Sequence, residues 1–123
     1  MAEFLKRILV IDPNSRVRKE LASFLKDEHY EIEIGKSLSE AIKKISGASY
    51  SCLILDVNLP EMRGYEAVSI LKSLDPKLKI IMTAEKNTKR LEAKVREQDI
   101  FFYFIKSFGK DELKLAIRNA LNA

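Results

Sequence analysis

Strict alternation of short apolar runs with amphipathic stretches constrains this chain more than any other feature of its sequence. Strand-like runs stand at Ile8-Leu9-Val10-Ile11, at Tyr30, Ile32 and Ile34 alternating with Glu31 and Glu33, at Cys52 to Leu55, at Ile80-Ile81-Met82 and at Phe101 to Ile105. Each is followed by apolar residues at helical spacing: Val17, Leu21, Phe24 and Leu25; Leu38, Ala41, Ile42 and Ile45; Val68, Leu71 and Leu74; Leu91 and Val95; Leu113, Ile117, Ala120 and Leu121. Continuously apolar strands are buried on both faces, so the pattern predicts an α/β fold with a parallel sheet covered by helices on either side. Right-handed crossovers leave few ways to wind five such units. The flavodoxin-like order 2-1-3-4-5 is the expected one.

Local punctuation supports the boundaries. Ser37 with Glu40 reads as a capping box, Gly47 is expected just past the second helix, Asp75-Pro76 stops the third, and Asn14 is the N-cap expected for the first. The fourth helix has only a thin apolar stripe between Lys86-Asn87-Thr88-Lys89-Arg90 and Lys94-Val95-Arg96-Glu97-Gln98, and is expected to be mobile or loosely packed. No internal repeat or low-complexity linker divides the sequence, so residues 1–123 are expected to form a single domain.

Composition narrows the functional classes. The 22 Lys and Arg against 18 Asp and Glu give a net charge of +4, but the charges are spread along the chain. The basic stretch Lys86, Lys89, Arg90, Lys94 and Arg96 reads equally well as a solvated helix face or a surface for an acidic protein, and direct nucleic-acid binding is not expected. No apolar run is long enough to span a bilayer, and the first residues lack the order of a signal peptide, so a cytoplasmic location away from membranes is expected. The lone Cys52 lies in an apolar run and reads as a small buried hydrophobe.

In an open parallel sheet, ligands sit beyond the carboxyl ends of the strands where the winding order reverses. Asp12 follows the first strand run, Asp56 the third, Thr83 the fourth and Lys106 the fifth. Singly, each has an ordinary explanation: a carboxylate near a helix start, a residue ending a strand, a solvated loop cation. Together they place two mutually repelling carboxylates at one edge, an arrangement that calls for a cation or a lysine. Such a set suits phosphoryl transfer to a carboxylate: an Asp nucleophile, a hard cation on oxygen ligands, a lysine as point charge and a hydroxyl for a phosphate oxygen.

The runs Ile8-Leu9-Val10-Ile11-Asp12, Leu53-Ile54-Leu55-Asp56-Val57-Asn58-Leu59-Pro60-Glu61-Met62-Arg63-Gly64, Ile81-Met82-Thr83-Ala84 and Tyr103-Phe104-Ile105-Lys106-Ser107-Phe108 resemble, in order, the motif blocks of bacterial response-regulator receiver domains. The Asp-x-Asn-x-Pro-x-Met-x-Gly block is the specific one. The resemblance implies Asp56 as phosphoacceptor and metal ligand, Asp12 as an acidic-pocket residue and metal ligand, and Asn58 as a metal ligand through its backbone carbonyl. It also implies Thr83 on a phosphoryl oxygen, Lys106 paired with the phosphate, and Tyr103 at the aromatic switch position. A histidine kinase or phosphotransfer protein would supply the phosphoryl group, and an output domain or downstream protein would read the face made by the fourth helix, fifth strand and fifth helix, a candidate also for homodimerisation. Such a domain is a phosphoacceptor with at most slow self-dephosphorylation, not an enzyme.

Three residues depart from that pattern. Pro13 stands where a second acid usually touches the metal, leaving Asp12 and Asp56 against Lys106. A unit charge pair at a few ångströms and an effective dielectric near 20 is worth about 4 kcal/mol before screening, so losing a fraction of that weakens Mg²⁺ binding roughly tenfold or more. Asn14 could offer a neutral oxygen instead. Arg63 replaces an acid before the turn glycine, and Ser107 replaces the proline that often follows the lysine in cis, which predicts a trans Lys106-Ser107 bond and a re-aimed lysine. These departures sustain an alternative, a phosphorylation-independent pseudo-receiver acting as a protein-interaction module. A flavin binder is a remote third reading, since no glycine-rich phosphate loop follows the first strand and the chain has no Trp.

Overall fold

The structure, a computed structural model, describes residues 6–26 and 29–122. Its elements alternate as β1 (Arg7–Ile11), α1 (Ser15–Lys26), β2 (Glu31–Gly35), α2 (Leu38–Gly47), β3 (Cys52–Asp56), α3 (Gly64–Leu74), β4 (Lys79–Ala84), α4 (Lys89–Arg96), β5 (Phe102–Ile105) and α5 (Lys110–Leu121). The strands form one parallel sheet in the order β2-β1-β3-β4-β5, as the alternation predicts.

Side chains alternate across a strand, and that period divides the core in two. Leu9, Ile11, Leu53, Leu55, Ile80 and Met82 pack on one side against Leu38, Ala41 and Ile45 of α2, Ala67, Val68 and Leu71 of α3, and Val95 of α4. Ile8, Val10, Cys52, Ile54 and Ile81 pack on the other against Leu21 and Leu25 of α1 and Leu113, Ile117 and Ala120 of α5. Each fully buried Leu or Ile contributes about 1.5–3 kcal/mol of transfer free energy, which anchors the strand ends where the polar residues begin. Cys52 is part of this core, its thiol pushed up to about 12 by burial, and so is chemically inert.

The caps follow the sequence with two shifts. Asn14 Oδ1 accepts from the N–H groups of Arg16 and Val17, so Asn14 is the N-cap of α1. Ser37 Oγ accepts from Glu40 N at 3.2 Å, but the Glu40 carboxylate turns to Lys36 N, one residue before the position a capping box would use. The free N–H groups of Leu38 and Ser39 are met instead by Glu61 Oε1 and Oε2, each at 3.0 Å. Gly47 is the last residue of α2 and not the one beyond it; Ala48 is the C-cap. Asp75 caps α3 as expected. In α4, Val95 is the only fully buried residue among those described, which matches the thin stripe in the sequence.

Gly64 is fixed by close approach. A Cβ added there would lie 2.2 Å from the carbonyl oxygen of Asp56, whereas a Cβ on Gly47 would meet nothing within 4 Å. Gly64→Ala should therefore push apart the end of β3 and the start of α3 and cost about 2 kcal/mol or more, while Gly47→Ala should be neutral or stabilise by about 0.5 kcal/mol. Urea denaturation of both variants checks this. Equal stabilities would show that the β3–α3 loop yields easily.

Candidate functional site

The register of the sheet assembles the site. Ile11 pairs with Leu55 and Asp56 with Thr83, so Asp12, one residue beyond β1, falls beside Asp56 at the end of β3. Ala84 pairs with Ile105, which brings Lys106 past the end of β5, and Lys106 N donates to Ala84 O at 2.8 Å. Asp12, Asp56 and Thr83 are the buried polar residues among those described, at 2%, 4% and 1% exposure. Apolar strands thus carry two carboxylates and a hydroxyl to a place where water reaches them poorly.

Lys106 resolves the resulting repulsion. Its Nζ donates to Asp12 Oδ2 and to Asp56 Oδ1, both at 2.7 Å, so the two carboxylates share one ammonium and lie no more than twice that distance apart. The remaining oxygens are also engaged: Asp12 Oδ1 accepts from Asn14 N at 2.8 Å, and Asp56 Oδ2 from Asn58 N at 2.8 Å. Thr83 Oγ1 lies 3.5 Å from Asp56 Oδ1, a slack contact that leaves the hydroxyl able to choose another acceptor. Burial lifts the Asp56 carboxyl above its ordinary value, although Lys106 and the Asn58 N–H pull it down; the charge on Asp12 adds to the rise. For Lys106 burial acts downward, but its bonds to Asp12 and Asp56 more than offset that and hold the ammonium above its usual range.

Two sequence expectations are corrected here. Lys106 is not re-aimed by Ser107: no peptide bond among the described residues is cis, and with a trans Lys106-Ser107 bond the ammonium still enters the pocket. Four freely rotating side-chain bonds absorb the difference in backbone direction. Asn14 is no substitute metal ligand, because its Oδ1 is committed to the N-terminus of α1 and only its backbone N–H faces Asp12. Tyr103 stands apart from the carboxylates, half-buried, its hydroxyl donating to Asn87 Oδ1 at 2.8 Å in the loop before α4. Burial, with the Glu92 charge nearby, raises its phenol.

Other contacts were not legible in the sequence. Glu61 ties the β3–α3 loop to α2, and the N–H groups of Ser39 and Leu38 hold its carboxyl below the ordinary range. Arg18 Nη1 donates to the backbone carbonyl of Asp12 at 2.6 Å. The Arg63 guanidinium donates to Asn58 Oδ1 across an antiparallel bridge between the two residues. Arg63 and Asn58 also line a cleft of about 650 Å³ with Glu85, Lys86, Arg90, Leu91 and Lys94. Exposed arginines carry no local signal of where they reach; only the loop geometry shows it.

The chain is similar to known proteins in sequence and in fold. The model of the response regulator receiver domain family matches residues 8–118. The chain is 29% identical to the response regulator protein TodT of Pseudomonas putida over 121 residues, 98% of this chain and 53% of that one. It is 30% identical to the transcriptional regulatory protein SrrA of Staphylococcus aureus over 115 residues, covering 93% and 47% respectively. The chain thus spans about half the length of these curated relatives. Among solved structures, the response regulator protein TrrA of Thermotoga maritima, in complex with Mg²⁺ and beryllofluoride, is 32% identical with a TM-score of 0.84, covering 95% of this chain and all of that one.

Crowded buried carboxylates cost stability, and Asp56→Asn should relieve that cost. A gain of about 1 kcal/mol would appear as a rise of roughly 3–6 °C in Tm for a domain of this size. The sign with pH follows from the raised carboxyl: the folded chain takes up the Asp56 proton before the unfolded chain does, so wild type recovers stability as pH falls through the raised value toward the ordinary 3.8. The advantage of Asp56→Asn should be largest near neutral pH and shrink on acidification. Thermal melts across that range check it, and a variant less stable than wild type at neutral pH contradicts it.

Proposed function

This chain belongs to the response regulator receiver domain family of two-component systems, and from that premise we propose that Asp56 accepts a phosphoryl group from a histidine kinase or phosphotransfer protein. The observation that carries the reading is the pairing of a buried Asp56 carboxylate with the Lys106 ammonium at 2.7 Å, beside the loosely held Thr83 hydroxyl. In the transfer, an Asp56 carboxylate oxygen attacks phosphorus and forms the P–O bond, while the bond from phosphorus to the donor breaks and its electron pair leaves with the donor. Asp56 enters as the anion and needs no general base. Lys106 neutralises charge gathering on the phosphoryl oxygens, and Thr83 is free to turn its hydroxyl to one of them.

The donor set meets the minimum for a hard divalent cation. Mg²⁺ is commonly held by one or two carboxylates with waters and phosphate oxygens completing six positions. Asp12, Asp56 and the Asn58 backbone carbonyl would be its protein ligands, and it would neutralise phosphate charge there. Lys106 already occupies one oxygen of each carboxylate, and the described residues hold no group of three or more acidic, His or Cys side chains suited to a metal, so weak binding is expected.

The new charge would act through Thr83 and Tyr103. A threonine drawn to the phosphoryl group would shift the β4 end, next to the loop where Asn87 holds the Tyr103 hydroxyl, and among the described residues α4 buries only Val95 fully, with Leu91 partly packed beside it. The α4–β5–α5 face would then be read by an output domain, a downstream protein or a second copy of the chain. Loss of the phosphoryl group would be slow self-hydrolysis, and the site of action the cytoplasm. No described helix is long and apolar enough to cross a membrane.

One observation favours the phosphorylation-independent alternative. Pro13 is exposed at the rim, and the oxygen of Asn14 that could have replaced the missing acid is consumed in capping α1. Intact mass after acetyl phosphate and Mg²⁺ separates the readings. An added phosphate on wild type, absent from Asp56→Asn, with half-saturation near or above millimolar Mg²⁺, is the expected result; no adduct at any Mg²⁺ concentration would leave an interaction module.

A further inference from the structure

Arg63 is an unspent cation beside the site. Its guanidinium donates to the neutral side-chain oxygen of Asn58, and no carboxylate among the described residues pairs with it in an ion pair. Its backbone is fixed close to Asp56 from both sides. The next residue, Gly64, packs so tightly that a Cβ would strike the Asp56 carbonyl, and its N–H bonds Val57 O at 2.7 Å. Asn58, which Arg63 holds, donates its own N–H to Asp56 Oδ2 at 2.8 Å. The guanidinium and the Asp56 carboxylate thus meet the same residue, one at the Asn58 side-chain oxygen and the other at its backbone N–H. Lys86, Arg90 and Lys94 line the cleft that Asn58 and Arg63 share, against the single acid Glu85, so the surface next to the site is positively charged.

The charge balance says what that cation would meet. The free pocket holds Asp12 and Asp56 against Lys106, one negative charge in excess. With a doubly charged phosphoryl group on Asp56 the excess becomes two, and with Pro13 in place of an acid the pocket is poorly equipped to recruit a divalent ion to cancel it. A guanidinium fork matches phosphate oxygens far better than a lone amide oxygen. Resting on the phosphoacceptor reading of Asp56, we infer that Arg63 is a phosphoryl-binding residue: it leaves Asn58 when Asp56 is modified and pairs with the phosphoryl oxygens, supplying part of the charge that a metal would otherwise supply. The same guanidinium repels a cation from the unmodified pocket. Pro13 and Arg63 are then one adaptation, an acid withdrawn and a base added around a single anion.

The two effects have opposite signs, which makes them separable from a merely structural role. With acetyl phosphate as donor, an Asp56 oxygen displaces acetate, which departs with the electron pair of the broken P–O bond, and no proton need move. Wild type, Arg63→Ala, Arg63→Lys and Arg63→Asp would be compared by intact mass in EDTA and across a Mg²⁺ series, and Mg²⁺ binding to each unmodified domain by calorimetry. Arg63→Ala should lose metal-free phosphorylation about tenfold and yet bind Mg²⁺ several-fold more tightly before modification; Lys should restore part of both, and Asp should exaggerate both. Unchanged metal dependence in Arg63→Ala, with wild type phosphorylated in Mg²⁺, overturns this inference alone, as does a change of both readouts in the same direction. Absence of an Asp56 adduct from every protein at every Mg²⁺ concentration overturns the phosphoacceptor reading and this inference with it.

Discussion

The ammonium of Lys106 is the contact on which the rest of the site depends. Two carboxylates at the ends of adjacent parallel strands, both almost fully buried, would otherwise repel in a medium that screens poorly. One ammonium at 2.7 Å from each makes the pair tolerable without neutralising it. The arrangement is therefore stable enough to fold and still short of positive charge. A buried site left with an excess of negative charge is the kind of site that a further cation would relieve. Removing Lys106 would leave both carboxylates uncompensated, a larger perturbation than removing either carboxylate.

The sheet and most of the site were legible in the sequence because both follow from period and register. Continuous apolar runs identified the parallel strands, and the residue ending each run is carried by the sheet to a common edge; Asp12, Asp56, Thr83 and Lys106 needed no further information to converge. Side-chain reach was not legible. Lys106 enters the pocket despite Ser107 because a long flexible side chain is only loosely tied to its backbone direction. Asn14 offered two readings, cap and ligand, and a helix N-terminus with unsatisfied N–H groups claimed it. Glu61 showed no sign of capping α2, since its partners Leu38 and Ser39 lie more than twenty residues away in sequence.

The elements around the pocket differ in how firmly they are held, and the difference has a direction. On the β3 side the loop is rigid: Gly64 packs on Asp56, and Glu61 pins the segment to the N-terminus of α2. On the β4 side the holds are weak. Thr83 meets Asp56 only at 3.5 Å, Tyr103 reaches the following loop through one hydrogen bond to Asn87, and α4 sinks a single residue fully into the core. An electrostatic change worth a few kcal/mol at Asp56 would displace whatever resists it least, and packing of the β3 loop would cost more to break than the contacts beyond β4. Were Asp56 to take up the charge proposed for it, the loose side would move before the fixed one, and α4 with β5 would be the elements that respond.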